Sequence, residues 1–121
     1  MARTFVKSKI HKATVTQTDL DYEGSITLDH KLMAAADIEP YEKVHVLNLN
    51  NGNRLETYAI KGKAGSGVVC LNGAAARHAQ RGDLIIVLTY ESFPDKPPLG
   101  YEPRVIRVDA KNRISKLKGG G

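Results

Sequence analysis

With 121 residues, 41% of them hydrophobic, and a formal net charge of +5, the chain is sized for one domain with a single core. Its densest apolar run, Leu84-Ile85-Ile86-Val87-Leu88, is far short of the roughly 20 residues that a membrane-spanning helix needs. A lone cysteine, Cys70, excludes an internal disulfide and any multi-cysteine zinc site.

In chain order, short β-rich runs dominate. The N-terminal stretch MARTFVKSKIHKATV has no apolar leader core and reads as mature sequence, with RTFVKSKI and KATVTQT as strands. SITLD follows, then a helix over DHKLMAAAD, with Asp29 as its cap and Leu32, Met33 and Ala36 on one side. KVHVLNLN and RLETYAIK flank Asn51-Gly52, a hairpin signal. GVVCLN leads into a second helical stretch, GAAARHAQRG, stopped by Gly82. DLIIVLTYES and RVIRVD complete the strands. Many short strands with one or two short helices predict a mainly β protein, a small closed barrel. Cys70, among Val68, Val69 and Leu71, reads as a small core residue, and the compartment is expected to be cytoplasmic.

The charge is uneven. Residues 104–121 hold six basic residues against one acidic, a surplus equal to the net charge of the whole chain. The body is therefore read as residues 1–103, with 104–121 as a basic C-terminal segment, flexible at its end. Such a segment attracts phosphate weakly. It keeps alive the alternative of a small basic-tailed β-barrel that binds nucleic acid, although no aromatic platform accompanies it. No phosphate-binding glycine loop, HExxH or GxSxG is present, and His11, His30, His45 and His78 lack metal-ligand spacing.

Three segments in order, KSKIHKATVTQTDLDYEGSITLD, NGNRLETYAI and LNGAAARHAQRGDLIIV, resemble the pyruvoyl-dependent aspartate 1-decarboxylases over roughly residues 1 to 95. The resemblance implies a six-stranded double-psi β-barrel and a homotetramer with sites between subunits. It also implies decarboxylation of L-aspartate to β-alanine for pantothenate synthesis. The cofactor implied is a covalently bound pyruvoyl group derived from Ser25, which forms a Schiff base with the substrate; neither pyridoxal phosphate nor a metal is expected.

The chemistry makes sense of Gly24-Ser25. Decarboxylation leaves electrons on the α-carbon, and no standard side chain accepts them. The Ser25 hydroxyl can attack the Gly24 carbonyl and turn the amide into an ester, and elimination then cuts the chain. Glycine at 24 leaves the attack unobstructed and tolerates strained angles. By resemblance, Thr57 donates to the oxyanion during processing and also touches substrate. Tyr58 returns a proton to carbon, and Arg54 grips a substrate carboxylate. Lys9 and the segment Asn72, Gly73, Ala74 and Ala75 border the substrate, while His11 and Tyr22 flank the processing bond. On an ideal strand Arg54, Glu56 and Tyr58 share one face and Thr57 takes the other. Either the strand is irregular, then, or Thr57 and Tyr58 serve different centres. The sequence is compatible both with spontaneous cleavage and with cleavage assisted by a maturation factor.

Overall fold

The computed structural model describes residues 1–118. The chain is mainly β, with strands β1 (Arg3–Thr14), β2 (Gln17–Asp19), β3 (Ser25–Asp29), β4 (Lys43–Asn48), β5 (Arg54–Gly62), β6 (Val69–Asn72), β7 (Leu84–Phe93), β8 (Arg104–Val108) and β9 (Ile114–Lys118). Helix α1 (His30–Ala36) follows β3, and a short 3-10 helix, Gly73–His78, follows β6. The strands hydrogen-bond in the open order β2-β6-β3-β5-β4-β7-β1-β8-β9. The ladder therefore differs from the expected closed six-stranded ring. The two sides of the order are nevertheless joined by the chain itself, because β1 runs almost directly into β2. At that bend the Thr16 N–H donates to the Val69 carbonyl at 2.8 Å, and the Val69 N–H donates to Thr16 Oγ1 at 3.0 Å.

RTFVKSKI and KATVTQT are mostly one strand. β1 carries register shifts, one of them between Ile10 and Ala13, where Lys12 takes φ 63°. Strand side chains alternate, so this irregularity changes which parity points inward: Ser8 and Ile10 are buried before it, Ala13 and Val15 after it. The aliphatic core joins these to Ile26 and Leu28 of β3, Val44 and Val46 of β4, Val69 and Leu71 of β6, and Ile85 and Val87 of β7.

α1 forms as the pattern predicts. Asp29 is its N-cap, and Leu32, Met33 and Ala36 are buried. The helix stops at Asp37, which takes a left-handed conformation. GAAARHAQRG is less helical than expected. Its helix ends at His78, because Ala79 is already extended (φ −154°, ψ 161°).

The boundary drawn at residue 103 is not where the sheet ends. β8 pairs in parallel with β1, and Ile106 is fully buried. Arg104 Nη1 donates to the Ala35 carbonyl at 3.2 Å. Asn112 is buried too: its amide accepts from the Thr14 N–H at 2.7 Å and donates to the Thr14 and Gly67 carbonyls, each at 2.8 Å. Charge counting hid this, because Ile106 in the core, Val108 packed against it and the Asn112 amide dock a run whose composition is basic. Residues 119–121, where the flexible end was expected, lie outside the described residues.

Asp29 does more than cap α1. Its carboxylate accepts from the N–H groups of Lys31 (2.8 Å), Gly65 (2.9 Å) and Gly67 (2.8 Å). Burial pushes its pKa up, but the Gly67, Gly65 and Lys31 amides outweigh that and hold the carboxyl below its ordinary value. A depressed folded-state value gives stability that is present above the unfolded value, near pH ~4, and is lost as pH falls through the folded one. Asp29→Ala is therefore expected to cost roughly 2–4 kcal/mol in denaturant unfolding at pH 7. Its penalty should shrink when the two proteins are compared at about pH 2–3.

Candidate functional site

Ser25 opens β3 and Asn72 closes β6, and the antiparallel register sets them opposite each other. Both are buried, at 0% and 3% exposure. The Ser25 hydroxyl donates to the Glu23 carbonyl at 3.0 Å and accepts from Asn72 Nδ2 at 3.0 Å. Asn72 Nδ2 also donates to Thr27 Oγ1 at 2.9 Å. Although Asn72 precedes the 3-10 helix, its side chain makes no capping bond; it is committed to β3 instead.

Gly73 shapes the approach to Ser25. It has φ +61°, and a Cβ there would lie 2.7 Å from the Gly24 nitrogen and 2.8 Å from both the Gly24 Cα and the Tyr22 carbonyl oxygen. Gly24, by contrast, is exposed, has no left-handed φ and faces open space on its Cβ side. The steric demand for glycine thus falls on residue 73. The strain expected at Gly24 is not seen.

A cleft of about 370 Å³ lies beside this step, lined by Gly24, Leu55, Glu56, Thr57, Tyr58, Ala74, Ala75 and His78. A second, of about 490 Å³, is lined by Tyr22, Glu23 and Tyr58 with Pro40, Tyr41, Ile60 and Lys61. Tyr58 borders both, and its ring lies 6.3 Å from that of Tyr41. Thr57 and Tyr58 border one cleft although β5 pairs regularly with β4 through Leu47–Arg54 to Lys43–Tyr58. The reason is that β3 joins β5 only from Ile26–Ala59 onward. Over residues 54–58 that edge of β5 has no strand partner among the described residues, so residues of both faces reach the cleft.

The structure thus brings together Gly24, Ser25, Thr57, Tyr58, Asn72, Gly73, Ala74 and Ala75. It does not bring Lys9 or His11 to them. Both lie on β1, separated from β3 in the sheet order by β5, β4 and β7. Burial, together with the cations Lys9, Arg107 and Lys12, holds His11 below the ordinary imidazole range, and its Nδ1 is buried with no partner among the described residues. Arg54 is exposed at the start of β5, next to the cleft residue Leu55. Tyr22 is 52% exposed; its carbonyl, more than its ring, meets the site.

Sequence reasoning missed four contributors. Thr27 and Cys70 flank Asn72: the Cys70 thiol reaches Asn72 Oδ1 at 3.2 Å. His78 lines the cleft, and its carbonyl is gripped by Asn48 Nδ2 and Asn51 Nδ2, each at 3.0 Å. Glu56 brings a negative charge to the cleft. Lys43, at 3.1 Å, and His45, also at 3.1 Å, hold its carboxyl below the ordinary range. Only pairing across distant strands sets Thr27 against Asn72, whereas Cys70 lies two residues before Asn72 on the same strand, a spacing that places both on one face. Among the described residues no group of three His, Cys, Asp or Glu side chains converges as metal ligands do, and no helix is long and apolar enough to cross a membrane.

A sequence model of the family described as aspartate decarboxylase matches residues 1–115. The chain belongs to that family. It is 60% identical over 120 residues to the aspartate 1-decarboxylase of Moorella thermoacetica, covering 99% of this chain and 94% of the relative. Against the aspartate 1-decarboxylase of Dehalococcoides mccartyi (strain CBDB1) the identity is 57% over 115 residues, 95% of this chain and 93% of the relative. Against that of Neisseria meningitidis it is 54% over 114 residues, 94% of this chain and 90% of the relative. The geometric focus of the site is the buried Ser25–Asn72 pair beside the cleft that Thr57 and Tyr58 line.

Gly73→Ala tests the geometry of that focus. Left-handed strain and the clash with the residue 22–24 backbone are expected to cost roughly 2–4 kcal/mol together. Denaturant titration of the purified variant measures this; an unchanged midpoint would mean that the 22–24 segment simply moves aside.

Proposed function

We propose that the chain decarboxylates L-aspartate to β-alanine and CO2, supplying pantothenate synthesis, with a pyruvoyl group made from Ser25 by self-cleavage between Gly24 and Ser25. The observation that carries this reading is the buried Ser25 hydroxyl, held between the Glu23 carbonyl and Asn72 Nδ2 at the edge of a cleft shared with Thr57 and Tyr58. The residues present fit such a group. Residue 25 is sealed from solvent while the neighbouring Gly24 opens on the cleft, so the position combines a dry pocket with access. Covalently bound there, the ketone supplies the electron sink that no unmodified side chain offers.

In the processing step, Ser25 Oγ attacks the Gly24 carbonyl carbon and the amide becomes an ester. Loss of the Ser25 Cα proton breaks the Cβ–Oγ bond, leaving a Gly24 carboxylate and a dehydroalanine at residue 25. Water then converts that residue to the ketone and releases ammonia. The Thr57 hydroxyl donates to the oxyanion of the attack. In the reaction cycle the Tyr58 hydroxyl delivers a proton to carbon. Arg54 holds the substrate carboxylate that is retained, and Glu56 biases the cleft against anions that lack that partner. Gly73, Ala74 and Ala75 let a small substrate approach the backbone.

Lys9 and His11 are assigned to the same site through a homotetramer with sites between subunits. Their separation from Ser25 within one chain supports that assignment, as do the exposed Leu20, Tyr22 and Tyr41. The fold is proposed to be the closed double-psi β-barrel, supported by the hydrogen bonds that tie Thr16 to Val69.

Intact mass spectrometry of the purified protein is expected to give two pieces, split after Gly24, with the larger blocked to Edman sequencing. Ser25→Ala is expected to stay whole and inactive; an active variant defeats the proposal. Borohydride added with aspartate is expected to trap an adduct on the larger piece. Tyr58→Phe is expected to cut normally yet lose turnover by about 100-fold or more, and normal turnover would remove Tyr58 from the role of proton donor.

A further inference from the structure

Asn72 donates to Ser25, but an amide can face either way, and what turns its NH2 toward the serine is not in the cleft. Asn72 sits among three partners: Ser25 Oγ at 3.0 Å, Thr27 Oγ1 at 2.9 Å and Cys70 Sγ at 3.2 Å. The Ser25 proton is engaged by the Glu23 carbonyl at 3.0 Å, which can only accept. Ser25 Oγ therefore needs a donor from Asn72. On the other side, the Cys70 sulfur already takes a hydrogen bond from the Gln17 side chain and has one proton of its own to give. Its alternative acceptor, the Leu71 carbonyl, is farther away at 3.9 Å. With Oδ1 on Cys70, both amide hydrogens and the amide oxygen are satisfied. Flipped, the amide sets its oxygen against a serine that has no proton to give and its NH2 against sulfur, a costly arrangement for buried groups.

We infer that Cys70 is a positioning residue for self-cleavage, with Thr27 as its counterpart: the thiol anchors Asn72 Oδ1 and Thr27 takes the second amide hydrogen, aiming the other at Ser25 Oγ. The inference rests on the self-cleavage reading above and deepens it. In the elimination, the Ser25 Cα proton passes to water, the Cβ–Oγ bond breaks, and its electron pair stays on Oγ, which becomes a carboxylate oxygen of Gly24. Negative charge therefore grows on the atom at which the Asn72 N–H already points, and a preset donor at such a place accelerates reaction. Hydrogen-bonding to Oδ1 also polarises the amide and strengthens its N–H. Burial pushes the Cys70 thiol up, and the Asp19 charge adds to this against a hydrogen bond from Gln17, so the sulfur keeps the proton it donates. At 3% exposure it is shielded from the chemistry of reactive thiols.

The test follows conversion of the full 121-residue chain into its two pieces over time, by intact mass, for the unsubstituted protein and for Cys70→Val, Cys70→Ala and Cys70→Ser. Valine keeps volume and apolarity but has no donor; serine is the poorer core residue but keeps one. Cleavage about tenfold slower in Cys70→Val and Cys70→Ala, with Cys70→Ser near the unsubstituted rate, is expected, since losing a donor aimed at a developing oxyanion costs roughly 100-fold or more and misaiming it costs less. A merely structural role gives the opposite order, with valine tolerated better than serine. If Cys70→Val fails to fold, Cys70→Ala carries the comparison. Cleavage of the donor-free variants at the unsubstituted rate overturns the inference and leaves the self-cleavage reading standing. An unsubstituted chain that never cuts overturns both.

Discussion

The whole site depends on two backbones being pressed together where β6 ends and β3 begins. Gly73, in its left-handed conformation, leaves no room for a side chain against residues 22–24, and this contact sets the height of Ser25 against Asn72. A buried hydroxyl with two partners has little freedom to wander. The burial that fixes it also limits how far water can compete for the same lone pairs. Glycine matters here because of where the neighbouring strand runs, rather than for any flexibility of the serine step itself.

The electrostatic arrangement is divided in the same spirit. Asp29, four residues after Ser25, gathers amides from Lys31, Gly65 and Gly67 and so ties the far end of β3 to the loop before β6. The strand is thereby held at both ends, by Asn72 at its start and by Asp29 at its finish. Glu56, in contrast, is exposed and paired with Lys43 and His45. Exposed pairs of this kind add little stability, so its significance lies in the charge it brings to the cleft.

What was legible in the sequence was local. Asp29 as a cap, the Leu32, Met33 and Ala36 face, and the turn at Asn51-Gly52, with Gly52 at φ +76°, follow from rules that span a few residues. The segment resemblance reached further and marked Ser25, Thr57, Tyr58 and Asn72. It could not set Ser25 against Asn72 in space, because 47 residues separate them. The puzzle of Thr57 and Tyr58 on opposite faces dissolves only once β3 is seen to begin level with the end of that stretch of β5, leaving an open edge. Net charge was a poor guide to the basic C-terminal run, because Arg107, Lys111 and Arg113 face outward while Ile106 and Asn112 face inward and Arg104 reaches the Ala35 carbonyl; docking depends on the inward groups. Cys70 was read correctly as buried, but composition cannot say where a thiol hydrogen points.

The route of β1 through the sheet bears on what a chain broken after Gly24 becomes. Residues 1–24 hold Ile10, Ala13 and Val15 in the core, and β1 is flanked by β7 on one side and β8 on the other. The upstream piece is thus a load-sharing rib of the larger one rather than a removable propeptide. A molecule severed there would still have its upstream piece paired on both sides and packed in the core, a two-chain heteromer held by the sheet itself.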